Sequence, residues 1–142
     1  PGWKLDLEGL EAIHDIGTFR NDLYNKGGIE AINEGLKSTG SACHKVIDVH
    51  PVTGEKYINV NRSFTRHILG LVQVESDRIL HFLFSHLAKP EFQCRFRWNV
   101  NSVAIWDNRV TQHYACCDYL PNVRVMQRVT VNDKRVSASS SP

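Results

Sequence analysis

Two arginines on one β-prone run are the first candidates for chemistry. From Val123 to Val131, period-two alternation puts Arg124, Met126 and Arg128 on one face and Val123, Val125 and Val129 on the other. At about 3.3 Å per residue, the two guanidiniums stand roughly 13 Å apart on that face. Two cations on one face of an apolar strand are costly to bury unless anions meet them. A guanidinium fork is suited to bidentate capture of carboxylate, sulfonate or phosphate. The alternative is a pair of surface arginines on an edge strand, or arginines paired with internal Asp and Glu.

His113 is the second candidate. It lies mid-strand in Val110-Thr111-Gln112-His113-Tyr114-Ala115 and shares a face with Arg109, Thr111 and Ala115. A neutral imidazole offers a lone pair to a metal, although a lone strand histidine also serves as an ordinary core or surface residue. His44 and His50 flank a strand and fall on the same side, a weaker hint of a metal pair. Trp106-Asp107-Asn108-Arg109 reads as a strand end followed by an Asp-Asn turn. Phe64, after Asn61-Arg62-Ser63, is either core or pocket wall.

The elements that must position these residues divide at Pro90. Leu5, Leu10, Ile13, Ile16, Phe19 and Leu23 recur at helical steps, so the periodicity predicts a helix from Leu5 to Lys37, punctuated at Gly27-Gly28. A hairpin follows, with strands over Lys45–Val49 and Lys56–Asn61 joined by the turn Pro51-Val52-Thr53-Gly54. Ile79, Leu80, Leu83, Phe84 and Leu87 form the clearest helical stripe, which Pro90 stops. Beyond it, Phe92–Trp98, Ser102–Trp106, Val110–Cys116 and Val123–Val131 read as four strands, and residues 137–142 as a flexible tail. The order predicts a mainly β domain with helical cover, α+β in class.

Composition bounds the function. The 142 residues carry 17 Lys+Arg against 15 Asp+Glu, a net charge of +2, which gives no basic footprint for nucleic acid. An apolar content of 42% excludes a disordered chain, and the length suits one domain or part of one. No apolar run reaches the roughly 20 residues of a membrane span, and no secretory leader is visible. Cys43, Cys94, Cys116 and Cys117 form no C-x-x-C pair, so they read as small buried hydrophobes in a reducing, cytoplasmic setting. Pro1-Gly2-Trp3 opens without an initiator Met, as expected of a piece of a longer protein.

The ordered motifs carry a resemblance. Asp107-Asn108-Arg109-Val110-Thr111-Gln112-His113-Tyr114-Ala115, then Asp118-Tyr119, Arg124 and Arg128, resemble the taurine dioxygenase family. The likeness extends upstream through Lys89-Pro90-Glu91-Phe92-Gln93, Glu75-Ser76, Val60-Asn61-Arg62-Ser63-Phe64-Thr65 and Val49-His50-Pro51-Val52-Thr53-Gly54 to Gly9-Leu10-Glu11-Ala12-Ile13-His14-Asp15. It thus covers about Leu7 to Val131. The resemblance implies the C-terminal part of a double-stranded β-helix, the jelly-roll barrel shared with cupins. It also implies an iron(II)- and 2-oxoglutarate-dependent dioxygenase that hydroxylates an anionic small molecule. A sulfonate such as taurine, cleaved to aldehyde and sulfite, comes first; alkyl sulfate esters and aryloxyacetates follow.

By position, His113 resembles the C-terminal histidine of a two-histidine, one-carboxylate iron triad. Arg124 resembles the arginine on the distal carboxylate of 2-oxoglutarate, and Arg128 the one on the substrate sulfonate. Phe64 matches a substrate-binding aromatic and Trp106 an active-site wall. The departure is equally plain: no His here has Asp or Glu two residues later, so the family's His-x-Asp or His-x-Glu ligands are missing. The 142 residues alone are therefore expected to be inactive, and to associate as a homo-oligomer or with the absent N-terminal part. A metal-deficient jelly-roll module for binding or assembly is the alternative.

Overall fold

The computed structural model describes residues 6–17 and 19–131, so the tail expected at 137–142 lies outside the described residues. The elements run β1 (Glu11–His14), α1 (Phe19–Thr39), β2 (Ala42–Lys45), β3 (Ile47–Val49), β4 (Lys56–Ile58), β5 (Thr65–Ile68) and α2 (Gln73–Leu87), with a short 3-10 turn at Pro90–Phe92. They build a three-stranded sheet in the order β2-β1-β5 and a separate β3-β4 hairpin, antiparallel throughout.

The long first helix is only partly present. Residues 11–14 are the central strand of the larger sheet, paired with β2 on one side and β5 on the other. Tertiary pairing on both edges overrides a helical spacing that four residues are too few to enforce. The helix proper begins at Phe19 and breaks where the sequence punctuates it: Gly28 takes φ +65°, which only glycine adopts without strain. The expected strand at Lys45–Val49 is shared between two sheets. Val46 sits fully buried at the crossing, where its N–H donates to Leu10 O and its carbonyl accepts from Asn59 N, each at 2.8 Å.

The turn at Pro51–Gly54 forms as read, closed by Gly54 N donating to His50 O at 2.9 Å and His50 N to Glu55 O at 2.8 Å. β5, unforeseen in so short a run, lays Ile68 opposite Ala12, both fully buried. The stripe of α2 delivers Ser76, Leu80 and Leu83 to one face at steps of four and three. Together with Ala12, Val46, Val60 and Ile68, the two leucines make the core. Ser76 Oγ accepts the N–H of Ile68 at 2.8 Å, tying helix to sheet.

After Phe92 the expectation of four strands fails. Among the described residues beyond that point no ladder forms at all. A strand is made by its neighbour, because every N–H and C=O needs a partner, and none lies alongside here. The alternating valines consequently stand in solvent, Val123 91% and Val129 89% exposed. The described residues thus form a mixed α+β arrangement and not a closed barrel. The cysteines are a further correction: Cys43, Cys94 and Cys117 are exposed and Cys116 half-buried, because edge strand β2 and the unpaired segment leave them uncovered. Among the described residues no helix is long and apolar enough to cross a membrane.

Candidate functional site

The candidate site is built on the turn from Trp106 to His113. Asp107 organises it locally: its Oδ1 accepts the Arg109 N–H at 3.0 Å, and its carbonyl accepts Thr111 N at 3.1 Å. This is the Asx-type turn that Asp-Asn favours. The Arg109 side chain folds back onto the same carboxylate, with Nε 2.8 Å from Oδ1 and Nη2 2.6 Å from Oδ2. It does not stand on a strand face beside His113, because Asp107 two residues away offers the nearer anion.

A third group reaches that carboxylate from far along the chain. His50 Nε2 lies 2.9 Å from Asp107 Oδ2, across 57 positions of sequence. Its ring is buried, and Nδ1 accepts the N–H groups of Val52 at 3.2 Å and Thr53 at 3.1 Å. The Arg109 side chain, the His50 ring and the Arg109 backbone N–H, in that order, hold the Asp107 carboxyl well below the usual carboxylate range. At the other end of the turn, Gln112 Nε2 donates to Val60 O at 2.6 Å and Gln112 Oε1 accepts from Asn61 Nδ2 at 3.1 Å.

Between these anchors Trp106 stacks on His113, with ring centroids 5.8 Å apart and planes 26° from parallel. Of the five residues expected at the site, these two are in ring contact. Phe64 pairs with Phe19 instead, centroids 5.8 Å apart, beside a largely apolar cavity of about 480 Å³ that Ile16, Leu23 and Lys26 also line. Arg124 is half-buried, its guanidinium 5.6 Å from the centre of the Tyr119 ring, and Arg128 is exposed. Their spacing of about 13 Å presumed an extended strand rise; without a strand they are not fixed on one face.

An iron centre would need more ligands than these residues bring together. Among the described residues no three of His, Cys, Asp and Glu stand together as a metal would need. His113 supplies one imidazole, whereas a facial triad takes two histidines and a carboxylate. These residues alone do not fit bound iron. The pairing of His44 with His50 is not realised either: the His44 ring packs edge-on against His14 at 5.0 Å, while His50 serves Asp107. Burial and then the charge of His44 push the His14 imidazole below its usual value.

The set that sequence reasoning missed is His50, Asp107 and Arg109 with Asn61 and Gln112. Each falls inside a quoted motif, but no local pattern links positions so far apart.

The turn presents a stacked imidazole, and two arginines follow it along the chain. Residues 4–130 match the family described as taurine catabolism dioxygenase TauD, TfdA, and the chain belongs to that family. It is 41% identical over 120 residues to an alpha-ketoglutarate-dependent dioxygenase of Penicillium expansum, covering 84% of this chain and 32% of that one. It is 34% identical over 114 residues to an alpha-ketoglutarate-dependent sulfonate dioxygenase of Saccharomyces cerevisiae, covering 80% and 26% respectively. The fold resembles a solved taurine dioxygenase from Burkholderia xenovorans with a TM-score of 0.57 and 32% identity, over 73% of this chain and 30% of that one. The chain therefore spans about a third of the length of the curated relatives it matches, or less.

Proposed function

We propose that this chain is the anion-binding C-terminal part of an iron(II)- and 2-oxoglutarate-dependent dioxygenase that hydroxylates an anionic small molecule, with a sulfonate such as taurine the first candidate. The family match over residues 4–130 carries this reading. In a polypeptide of the relatives' length, residues 92–131 pair as strands of a double-stranded β-helix, which supplies the ladder partners they lack here. His113 then gives one imidazole to the metal, and the remaining donors come from elsewhere in the polypeptide. Iron with 2-oxoglutarate and dioxygen supplies the oxidising chemistry.

The residues of this chain bind and orient. Arg124 takes the distal carboxylate of 2-oxoglutarate in a bidentate, charge-assisted pair, Arg128 takes the anionic end of the substrate, and Phe64 and Trp106 form walls that exclude water. The half-buried position of Arg124 supports assigning the co-substrate carboxylate to it and the substrate anion to exposed Arg128.

The test is succinate release by a polypeptide of the relatives' length, given iron(II), ascorbate and 2-oxoglutarate with taurine, an alkyl sulfate ester or an aryloxyacetate. Arg124→Ala should raise the KM for 2-oxoglutarate and Arg128→Ala the KM for the substrate, while His113→Ala should abolish turnover. Truncating one member of a buried charge pair costs roughly 2–5 kcal/mol, a factor above ten in KM. No succinate with any of the three substrate types would remove the enzyme reading for these classes. A response of the aryloxyacetate KM alone to Arg128→Ala would replace the sulfonate.

A further inference from the structure

We infer that His50 is a positioning residue that holds Trp106 and His113 face to face, acting through Asp107. Two backbone N–H groups, from Val52 and Thr53, point at Nδ1 within 3.2 Å. An N–H cannot donate to another N–H, so Nδ1 carries no proton and the neutral ring bears its hydrogen on Nε2. That hydrogen donates to Asp107 Oδ2 at 2.9 Å. Arg109 already balances the charge of the carboxylate through its bidentate pair, so the buried histidine need not be a cation to hold its place.

The geometry exceeds what a turn cap requires. Capping the Val52 and Thr53 amides is work an Asn or Asp side chain does equally well. The ring adds a second nitrogen on the opposite side, and that nitrogen reaches a residue 57 positions away. Asp107 immediately follows Trp106, and Gln112 immediately precedes His113. Each ring of the stack therefore hangs from the residue next to an anchor: His50 fixes the tryptophan end, and the Gln112 pair to Val60 O and Asn61 fixes the histidine end. With both ends held, the 5.8 Å stack is set by side-chain hydrogen bonds to the β3-β4 hairpin and the strand exit beyond it. The value of this to catalysis rests on the reading of His113 as a metal donor; the clamp itself does not.

Two substitutions separate the two jobs of the ring. His50→Asn keeps an acceptor where Nδ1 stood and loses the reach to Asp107, whereas His50→Gln keeps a donor where Nε2 stood and loses the turn cap. The readout is the nuclear Overhauser contact between the Trp106 and His113 ring protons in the full 142-residue chain, free of metal, with circular dichroism to establish folding. Positioning predicts that His50→Asn loses the ring contact and His50→Gln retains it. Equal retention in both, or loss in Gln with retention in Asn, overturns the proposal and leaves His50 a turn cap. Should neither variant fold, the imidazole of the unmodified chain decides: an Nε2 proton protected from solvent exchange by its bond to Asp107 supports the clamp, and a freely exchanging Nε2 proton or the opposite tautomer refutes it. None of these readouts depends on turnover, so loss of the dioxygenase reading would leave their outcome unchanged.

Discussion

Replacing Ser76 by Ala sets two effects of known sign against each other on helix α2. Ser76 is fully buried, and its Oγ takes the N–H of Ile68, itself fully buried, at 2.8 Å. Removing the hydroxyl leaves that N–H without a partner where water does not reach, a cost of about 1–3 kcal/mol. Against it, Ala is the better helix former by about 0.5 kcal/mol. The orphaned donor wins, and the net loss should be on the order of 0.5–2.5 kcal/mol, a fall in melting temperature of roughly 2–10 °C for a chain of this size. Ser85→Ala on the same helix supplies the control. Ser85 is exposed, so only the propensity gain remains and that variant should be slightly stabilised. Urea titrations with an unchanged m-value give both numbers. If Ser76→Ala proved as stable as the parent, or both serines behaved alike, the helix-to-sheet bond would not carry the weight assigned to it.

Three further perturbations probe other parts of the fold. Gly17 has φ +55°, and a Cβ there would overlap the Ser63 carbonyl oxygen, so Gly17→Ala should cost more than about 1 kcal/mol in urea and displace the loop carrying Phe64; an unchanged midpoint would contradict this packing. His14 is held below its usual value of 6.5 by burial and by His44, so the unfolded chain binds more protons and stability falls as pH drops through the ordinary histidine range. His14→Gln should flatten that fall between about pH 7 and 5, and parallel curves for variant and parent would exclude it. The depressed Asp107 carboxyl stabilises the fold above the unfolded value of about 4 and ceases to do so as pH falls through the folded value. The stability advantage of the parent over Asp107→Asn should therefore shrink from about pH 5 towards 2, and a constant advantage in urea midpoint would refute the ion pair.

What was legible in the sequence was local. Pro51 and Gly54 specify their turn through backbone preferences of the residues themselves, and the stripe from Ile79 to Leu87 reports the one face that α2 buries. β1 is not legible locally because Leu10, Ile13 and Ile16 satisfy a helical spacing, while the property that makes residues 11–14 a strand belongs to β2 and β5 on either side. The runs after Phe92 invert the same lesson. Alternation in Val123, Val125 and Val129 states which face a strand would bury and says nothing of whether a partner lies next to it. The cysteines were misplaced for that reason also, since Cys94, Cys116 and Cys117 all lie in the unpaired stretch.

The site divides along the same line. Trp106, His113, Arg124 and Arg128 stood out by residue type and motif, yet the contacts that hold the first two lie at His50 and at Val60-Asn61, beyond any local window. No ladder fixes the turn from 106 to 113 among the described residues; side-chain hydrogen bonds to a hairpin and to the carbonyl of core residue Val60 do so instead. Its tryptophan end, held by His50, is thus anchored outside the three-stranded sheet. Weakening the helix-to-sheet tie at Ser76 should lower global stability while the Trp106–His113 contact persists in the folded fraction. Cutting the reach from His50 to Asp107 should release that contact with little change in the core, because neither the leucines of α2 nor the β1-β5 pairing takes part in that hydrogen bond. A site hung from two side-chain anchors can be loosened without unfolding the protein, and that independence distinguishes a positioning role from a structural one.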